Sequence, residues 1–125
     1  MIIDFHNHFY PPEYLDALGP SGSTLRITHD ADGNPVVHYP GDYNVMVRGH
    51  RDIAYRESVL DEHGVDMQVI SLTTPGTHVE APAVAVKLAA ITNDAMRRLA
   101  NKPGGSLAAQ RGAAAVWSGD RPRVA

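Results

Sequence analysis

The sequence predicts an α/β fold in which parallel strands alternate with helices. Residues 1–5 and 65–72 are short apolar runs rich in β-branched side chains, which is typical of buried strands. Residues 52–63 and 82–99 instead repeat apolar side chains at helical spacing. The order strand, helix, strand, helix favours βα units, because parallel strands need a crossover between them and helices then cover the sheet.

The segment between the first strand and the first long helix is predicted to hold an insertion. We expect the strand to end at His6 and a short helix to cover residues 13–18 after two prolines. Residues 24–28 and 36–39 then flank an Asp-Gly turn signal, which predicts a small β-hairpin. The Pro-Gly-Asp sequence at 40–42 is interpreted as a break after this hairpin.

Local signals define both long helices. Asp52 is placed to cap the first of them, and Gly64 is placed to end it. Its predicted inner stripe contains Arg56 among apolar residues at helical spacing. Pro82 suits the first turn of the second helix, which the Lys-Pro-Gly-Gly sequence at 102–105 ends.

The last part of the chain has a different composition from the rest. Residues 105–125 are rich in Ala, Gly and Arg and show only weak periodicity, so we predict a poorly ordered tail after a first segment at 1–104. The alternative is an ordinary third strand, since the tail begins with small apolar residues.

Composition excludes several classes of protein. The 125 residues carry a formal net charge of −3 with scattered basic residues, so we expect no nucleic-acid partner. No apolar run approaches the ~20 residues of a membrane span, and the N-terminus lacks a secretory pattern, so we expect a cytoplasmic protein that does not enter a membrane. Without cysteine, a transition metal would have to bind His and carboxylate side chains.

The His6-Asn7-His8 sequence at the end of the first strand is the main candidate site. Side chains in a strand alternate between faces, so His6 and His8 are predicted to converge on one point with Asp4 on the same face. Imidazole nitrogen suits zinc and related ions. The spacing alone leaves open the alternative that both side chains bind no metal and only form hydrogen bonds with the backbone or with solvent.

Three stretches together carry a family resemblance. DFHNHFYPPEYL, RESVLDEHGVDMQVISLTTPG and ITNDAMRRLANKPG resemble the amidohydrolase superfamily, in its branch related to aminocarboxymuconate-semialdehyde decarboxylase. The resemblance implies the N-terminal part of a TIM (β/α)8 barrel, about two βα units with a small hairpin insertion. It also implies a divalent metal, Zn²⁺ in our prediction, with His6 and His8 as ligands from the first strand.

The same resemblance implies further ligands, a histidine from a middle strand and an aspartate from the last strand. A barrel of this type needs ~250 residues. We therefore expect this chain to be a truncated form, and we interpret the atypical sequence after residue 104 as the product of a frameshift or an early stop.

Arg48 is the candidate for binding a substrate anion. Its planar guanidinium can hold a carboxylate through two hydrogen bonds, and the resemblance places a carboxylate-binding arginine in this region. The alternative is a solvated loop arginine. His50 and His78 are predicted on loops near the strand ends, where they would either touch substrate or face solvent.

The resemblance implies a non-oxidative decarboxylase, or a hydrolase, acting on a small carboxylated substrate. The alternative is a catalytically inactive fragment that binds metal weakly. Because two βα units leave sheet edges uncovered, we also expect self-association.

Overall fold

The computed structural model describes residues 1–20, 22–103, 105 and 107–109. The described residues form two small sheets and four helices, and side chains of the two longest helices share a core cluster with the parallel sheet. In chain order the elements are β1 (Ile3–His8), α1 (Pro12–Leu18), β2 (Arg26–His29), β3 (Pro35–Tyr39), β4 (Asp42–Val45), α2 (Arg48–Arg51), α3 (Ile53–His63), β5 (Met67–Ser71), α4 (Pro82–Ala100) and β6 (Leu107–Ala109).

The parallel sheet has the strand order β1-β5-β6. Helix α3 lies in the connection from β1 to β5, and α4 connects β5 to β6, so the predicted βα units are confirmed. Strand β1 is longer than predicted, because Asn7 and His8 still pair with Ile70 and Ser71 of β5. The histidine pair therefore belongs to the strand itself.

Strand β1 contains an irregularity between Asp4 and Asn7, where its register with β5 shifts. Asp4 is the neighbour of Gln68, and Asn7 is the neighbour of Ile70, so both side chains lie on the face that α3 covers. His8 pairs with Ser71 and lies on the opposite face. The prediction that Asp4 and His8 share a face is wrong, because a bulge changes the alternation of side chains.

The predicted signals of α3 and α4 are confirmed. The Asp52 carboxylate accepts a hydrogen bond from the Tyr55 backbone N–H at 3.1 Å, which caps α3. Gly64 ends that helix in the left-handed region with φ 64°. Helix α4 begins at Pro82 and ends at Ala100.

The insertion is a three-stranded antiparallel sheet rather than a single hairpin. The predicted hairpin corresponds to β2 and β3, and β4 then pairs with β3. The prediction that the chain breaks away from the hairpin at 40–42 is wrong. Pro40 and Gly41 instead form the two-residue turn between Tyr39 and Asp42, which joins β3 to β4. Proline followed by a glycine of positive φ, here 85°, is the signature of a type II turn.

The prediction of a poorly ordered tail from residue 105 onward is wrong at the beginning of that tail. Leu107–Ala109 forms β6 and pairs in parallel with Gln68, Val69 and Ile70 of β5, as in the alternative of a third strand. A strand edge offers unpaired N–H and C=O groups, so even small residues of weak periodicity pair there. Residues 110–125, the rest of the predicted tail, lie outside the described part of the chain.

The hydrophobic core lies between the parallel sheet and the helices. Ile70 of β5 and Leu88 of α4 are fully buried in it, and Tyr14 of α1 joins them. The other face of the sheet leaves Ile3, Phe5 and Met67 exposed, Phe5 at 73%. Among the described residues, no helix has both the length and the apolar character that crossing a membrane requires.

Candidate functional site

An open cleft of about 680 Å³ lies at the carboxyl ends of β1 and β5. His6 and His8 line it from β1, Thr73 and Thr74 line it from the loop after β5, and Tyr55 lines it from α3. The carboxyl ends of parallel strands lie at one edge of a sheet, where α/β proteins bind their ligands. The cleft is therefore the candidate functional site of the described residues.

The two histidines converge at this cleft. Their ring centroids are 5.2 Å apart, and the rings are inclined at 71°. His6 is exposed and His8 is half-buried. The Nδ1 atom of His8 lies 3.0 Å from the Ser71 hydroxyl oxygen, so its Nε2 remains the ring nitrogen for an external ligand.

The surroundings of His8 favour its neutral form. Burial lowers the pKa of His8 below the usual value of 6.5, and the charges of His6, His50 and Arg56 lower it further. Contact with Ser71 opposes these effects. Because a metal binds the neutral imidazole, the depressed pKa keeps His8 in the form that serves as a ligand at neutral pH.

Arg56 is a site residue that the sequence analysis did not single out. It is only 8% exposed, and its Nη2 donates to the His8 carbonyl oxygen at 2.6 Å while its Nη1 donates to Asn7 Oδ1 at 2.7 Å. The sequence feature that could have identified it is the position of this arginine on the apolar stripe of α3. A charged side chain at such a position is buried only when polar groups satisfy it.

The polar network continues from Arg56 to Asp4. Arg56 Nη1 also donates to Gln68 Oε1 at 2.9 Å, and Gln68 Nε2 donates to Asp4 Oδ2 at 2.8 Å. The other carboxylate oxygen of Asp4 accepts from the His6 backbone N–H at 3.0 Å. Asp4 therefore supports the backbone of the bulge, and among the described groups its carboxylate makes no hydrogen bond to an imidazole.

Arg48 lies in the short helix α2 rather than in a loop, and it does not itself line the cleft, although its neighbours Val47 and Gly49 do. Its Nε donates to Asp52 Oδ2 at 2.9 Å, and its guanidinium carbon lies 4.7 Å from the centre of the Tyr55 ring. The side chain is 64% exposed, so its outer nitrogens face solvent. His50 lines the cleft, whereas His78 is exposed and does not line it.

The donor set of the described residues fits part of a metal site. Two converging imidazoles suit zinc, but no group of three or more His, Cys, Asp or Glu side chains that could hold a metal ion occurs in the described part of the chain. His6 and His8 are thus two ligands, and a catalytic zinc ion usually takes three from protein.

Comparisons with known proteins relate this architecture to a solved structure. The crystal structure of Metarhizium anisopliae IDCase in apo form matches with a TM-score of 0.67 and 20% sequence identity. The match covers 87% of this chain and 34% of that chain. The chain shares its fold with part of IDCase.

The match to IDCase covers only part of that protein. This chain spans about a third of the length of IDCase. No protein-family model matches the sequence, and no curated protein sequence matches it. The likeness to IDCase therefore supports the predicted α/β arrangement of strands and helices.

Proposed function

We propose that this chain forms the first part of a metal-dependent amidohydrolase barrel whose reaction is the non-oxidative decarboxylation of a small carboxylated substrate. The observation that carries the proposal is the pair of converging imidazoles, 5.2 Å apart, at the carboxyl edge of a parallel sheet. Barrel enzymes place their active sites at this edge. The fold shared with IDCase and the sequence resemblance support the same assignment.

His6 and His8 would hold the divalent metal, Zn²⁺ in this proposal, together with ligands from outside the described residues. A bound metal of this kind supplies a Lewis acid that polarises substrate oxygens and lowers the pKa of bound water toward ~7. The chain itself supplies a neutral imidazole at His8, because burial lowers the pKa of that side chain. Ser71 fixes the orientation of the His8 ring through Nδ1.

Arg48 would bind the carboxylate of the substrate. Among the described residues a carboxylate binds only its Nε, so Nη1 and Nη2 are available to a substrate oxygen beside Tyr55, which lines the cleft. Val45, Val47 and Tyr55 provide apolar lining beside it, which suits a ring or enol-type substrate.

A titration of the purified chain with Zn²⁺ by calorimetry tests the metal site. We expect stoichiometric binding that is lost in the double variant His6→Ala, His8→Ala. The matched control is His29→Ala, His63→Ala, which removes two exposed imidazoles outside the lining of the cleft. Equal loss of binding in both double variants would contradict the assignment of the site.

The second candidate function is a catalytically inactive chain with weak metal binding. It is favoured by the finding that only two potential ligands converge within the described residues. Binding with a dissociation constant in the range of about 1 mM would support it, since that affinity corresponds to only ~4 kcal/mol. Release of CO₂ from a panel of small aromatic carboxylates, lost in Arg48→Gln, would support the decarboxylase instead.

The exposed sheet face supports one further part of the proposal, self-association of the chain. Ile3, Phe5 and Met67 leave an apolar surface on that face. A molecular mass above 13.5 kDa in light scattering is the expected result. A mass equal to that of one chain at all concentrations would exclude it.

A further inference from the structure

Arg56 makes four hydrogen bonds to uncharged acceptors in the described part of the chain. Besides its bonds to Asn7, His8 and Gln68, its Nε donates to the Gly49 carbonyl oxygen at 2.9 Å. Burying a charged group without a carboxylate in contact is costly. An apolar side chain at this position of the α3 stripe would avoid that cost, so packing alone does not explain an arginine here.

The two bonds toward β1 join the guanidinium to the histidine motif itself. One reaches the side chain of Asn7, the residue between the two histidines, and the other reaches the carbonyl oxygen of His8. The bonds to Gly49 and Gln68 connect the same planar group to the α2 segment and to β5. The guanidinium therefore fixes the end of β1 relative to two other elements.

The end of β1 needs such a connection because its strand pairing is irregular. Residues 5 and 6 lie within the register shift and have no partner in the β1–β5 register, and β1 lies at the edge of the described sheet. A metal ligand must be held within ~0.5 Å of its productive position. Regular strand pairing cannot provide that for His6, whereas the network beneath the bulge can.

We propose that Arg56 is a positioning residue that holds the bulged end of β1 so that the His6 and His8 imidazoles converge on one metal ion. The inference rests on the proposed function, because it assigns a purpose to the convergence of the two rings. Arg56 acts through the backbone of His8 and the side chain of Asn7 and does not itself bind the metal.

Three variants test this role. Arg56→Met keeps most of the stem but removes every donor, and Arg56→Lys keeps the charge but replaces the planar fork with a single ammonium group. The matched control is Arg51→Met. Arg51 is half-buried, donates to the Met46 carbonyl oxygen at 3.0 Å and to Asn34 Oδ1 at 3.4 Å, and has no hydrogen bond to β1.

The first measurement uses the metal-free chain with labelled histidines. We expect a nuclear Overhauser contact between the His6 and His8 rings in the unaltered chain and in Arg51→Met, and its loss in Arg56→Met and Arg56→Lys. Circular dichroism verifies that each variant is folded. If Arg56→Met does not fold, Arg56→Lys decides the question. An unchanged contact in the folded Arg56 variants would overturn the proposal.

The second measurement is the affinity for Zn²⁺ alone. Loss of a residue that orients metal ligands typically lowers metal affinity about 10–100-fold, and we expect this loss in the Arg56 variants but not in Arg51→Met. Equal affinities in all three variants would overturn the role in metal binding. If the unaltered chain binds no Zn²⁺, the proposed function fails, and the ring contact in the metal-free chain still decides whether Arg56 positions the pair.

Discussion

The Oδ2 atom of Asp4 accepts a hydrogen bond from Nε2 of Gln68 at 2.8 Å, beneath the bulge of β1 and on the face away from His8. The second carboxylate oxygen accepts from the His6 backbone N–H. One carboxylate thus serves two donors, one on β5 and one within the bulge. Asp4 stabilises the irregular strand that carries the histidine pair.

Replacing Asp4 with asparagine is expected to destabilise the chain. The amide offers one acceptor oxygen where the carboxylate offers two, so one of the two donors loses its partner. A loss of about 1–3 kcal/mol in the free energy of unfolding follows. The control is Asp16→Asn at an exposed position of α1, where a change within about 0.5 kcal/mol is expected. Urea unfolding of both variants measures the difference, and similar losses would refute it.

The hydroxyl of Tyr14 supports the loop after β5. Tyr14 is 0% exposed, and its hydroxyl donates to the Gly76 carbonyl oxygen at 2.7 Å. In Tyr14→Phe this buried carbonyl loses its donor, so we expect a loss of about 1–3 kcal/mol in stability. Tyr43→Phe, at a side chain that is 58% exposed, is the matched control and should be nearly neutral. A thermal melt in which Tyr43→Phe is the less stable of the two would contradict this account.

Gly64 and Gly19 are expected to respond oppositely to alanine. Gly64 ends α3 with φ 64°, a conformation that costs a residue with a Cβ roughly 1–2 kcal/mol. Gly19 follows α1 with φ −68°, and an added Cβ would meet no atom within 4 Å. Gly19→Ala should therefore be neutral or stabilise by about 0.4–1 kcal/mol, because alanine restricts the unfolded chain. Denaturant midpoints with unchanged slopes measure both effects, and destabilisation by Gly19→Ala would be the contrary result.

The cleft makes stability depend on pH. Burial is the main cause that lowers the pKa of both His8 and His50 below 6.5 in the folded chain. At pH values between the ordinary pKa of 6.5 and the lowered pKa values of the folded chain, the unfolded chain binds more protons than the folded chain. The free energy of unfolding therefore falls as the pH falls from about 7 to about 5. The double variant His8→Gln, His50→Gln should show a smaller decrease over this interval. Equal pH dependence of unfolding in the unaltered chain and in this double variant would argue against a role of the two histidines.

Much of the local structure could be predicted because its signals lie close together in the chain. The cap at Asp52, the end of α3 at Gly64 and the hairpin of β2 and β3 each depend on a few neighbouring residues. Helix α4 follows from its spacing of apolar residues and from Pro82. The proximity of His6 and His8 was also predictable, since they are one residue apart in a strand.

The remaining features depend on residues that are distant in the sequence. The sequence by itself determined that two imidazoles stand at a strand end, that helices alternate with strands, and where the main helices begin and end. Only the tertiary structure decided that Asp4 faces α3, that Arg56 is buried beneath the histidines, and that Leu107–Ala109 adds a strand to β5. Register, bulges and burial are set by partners tens of residues away, and local propensity carries no information about those partners.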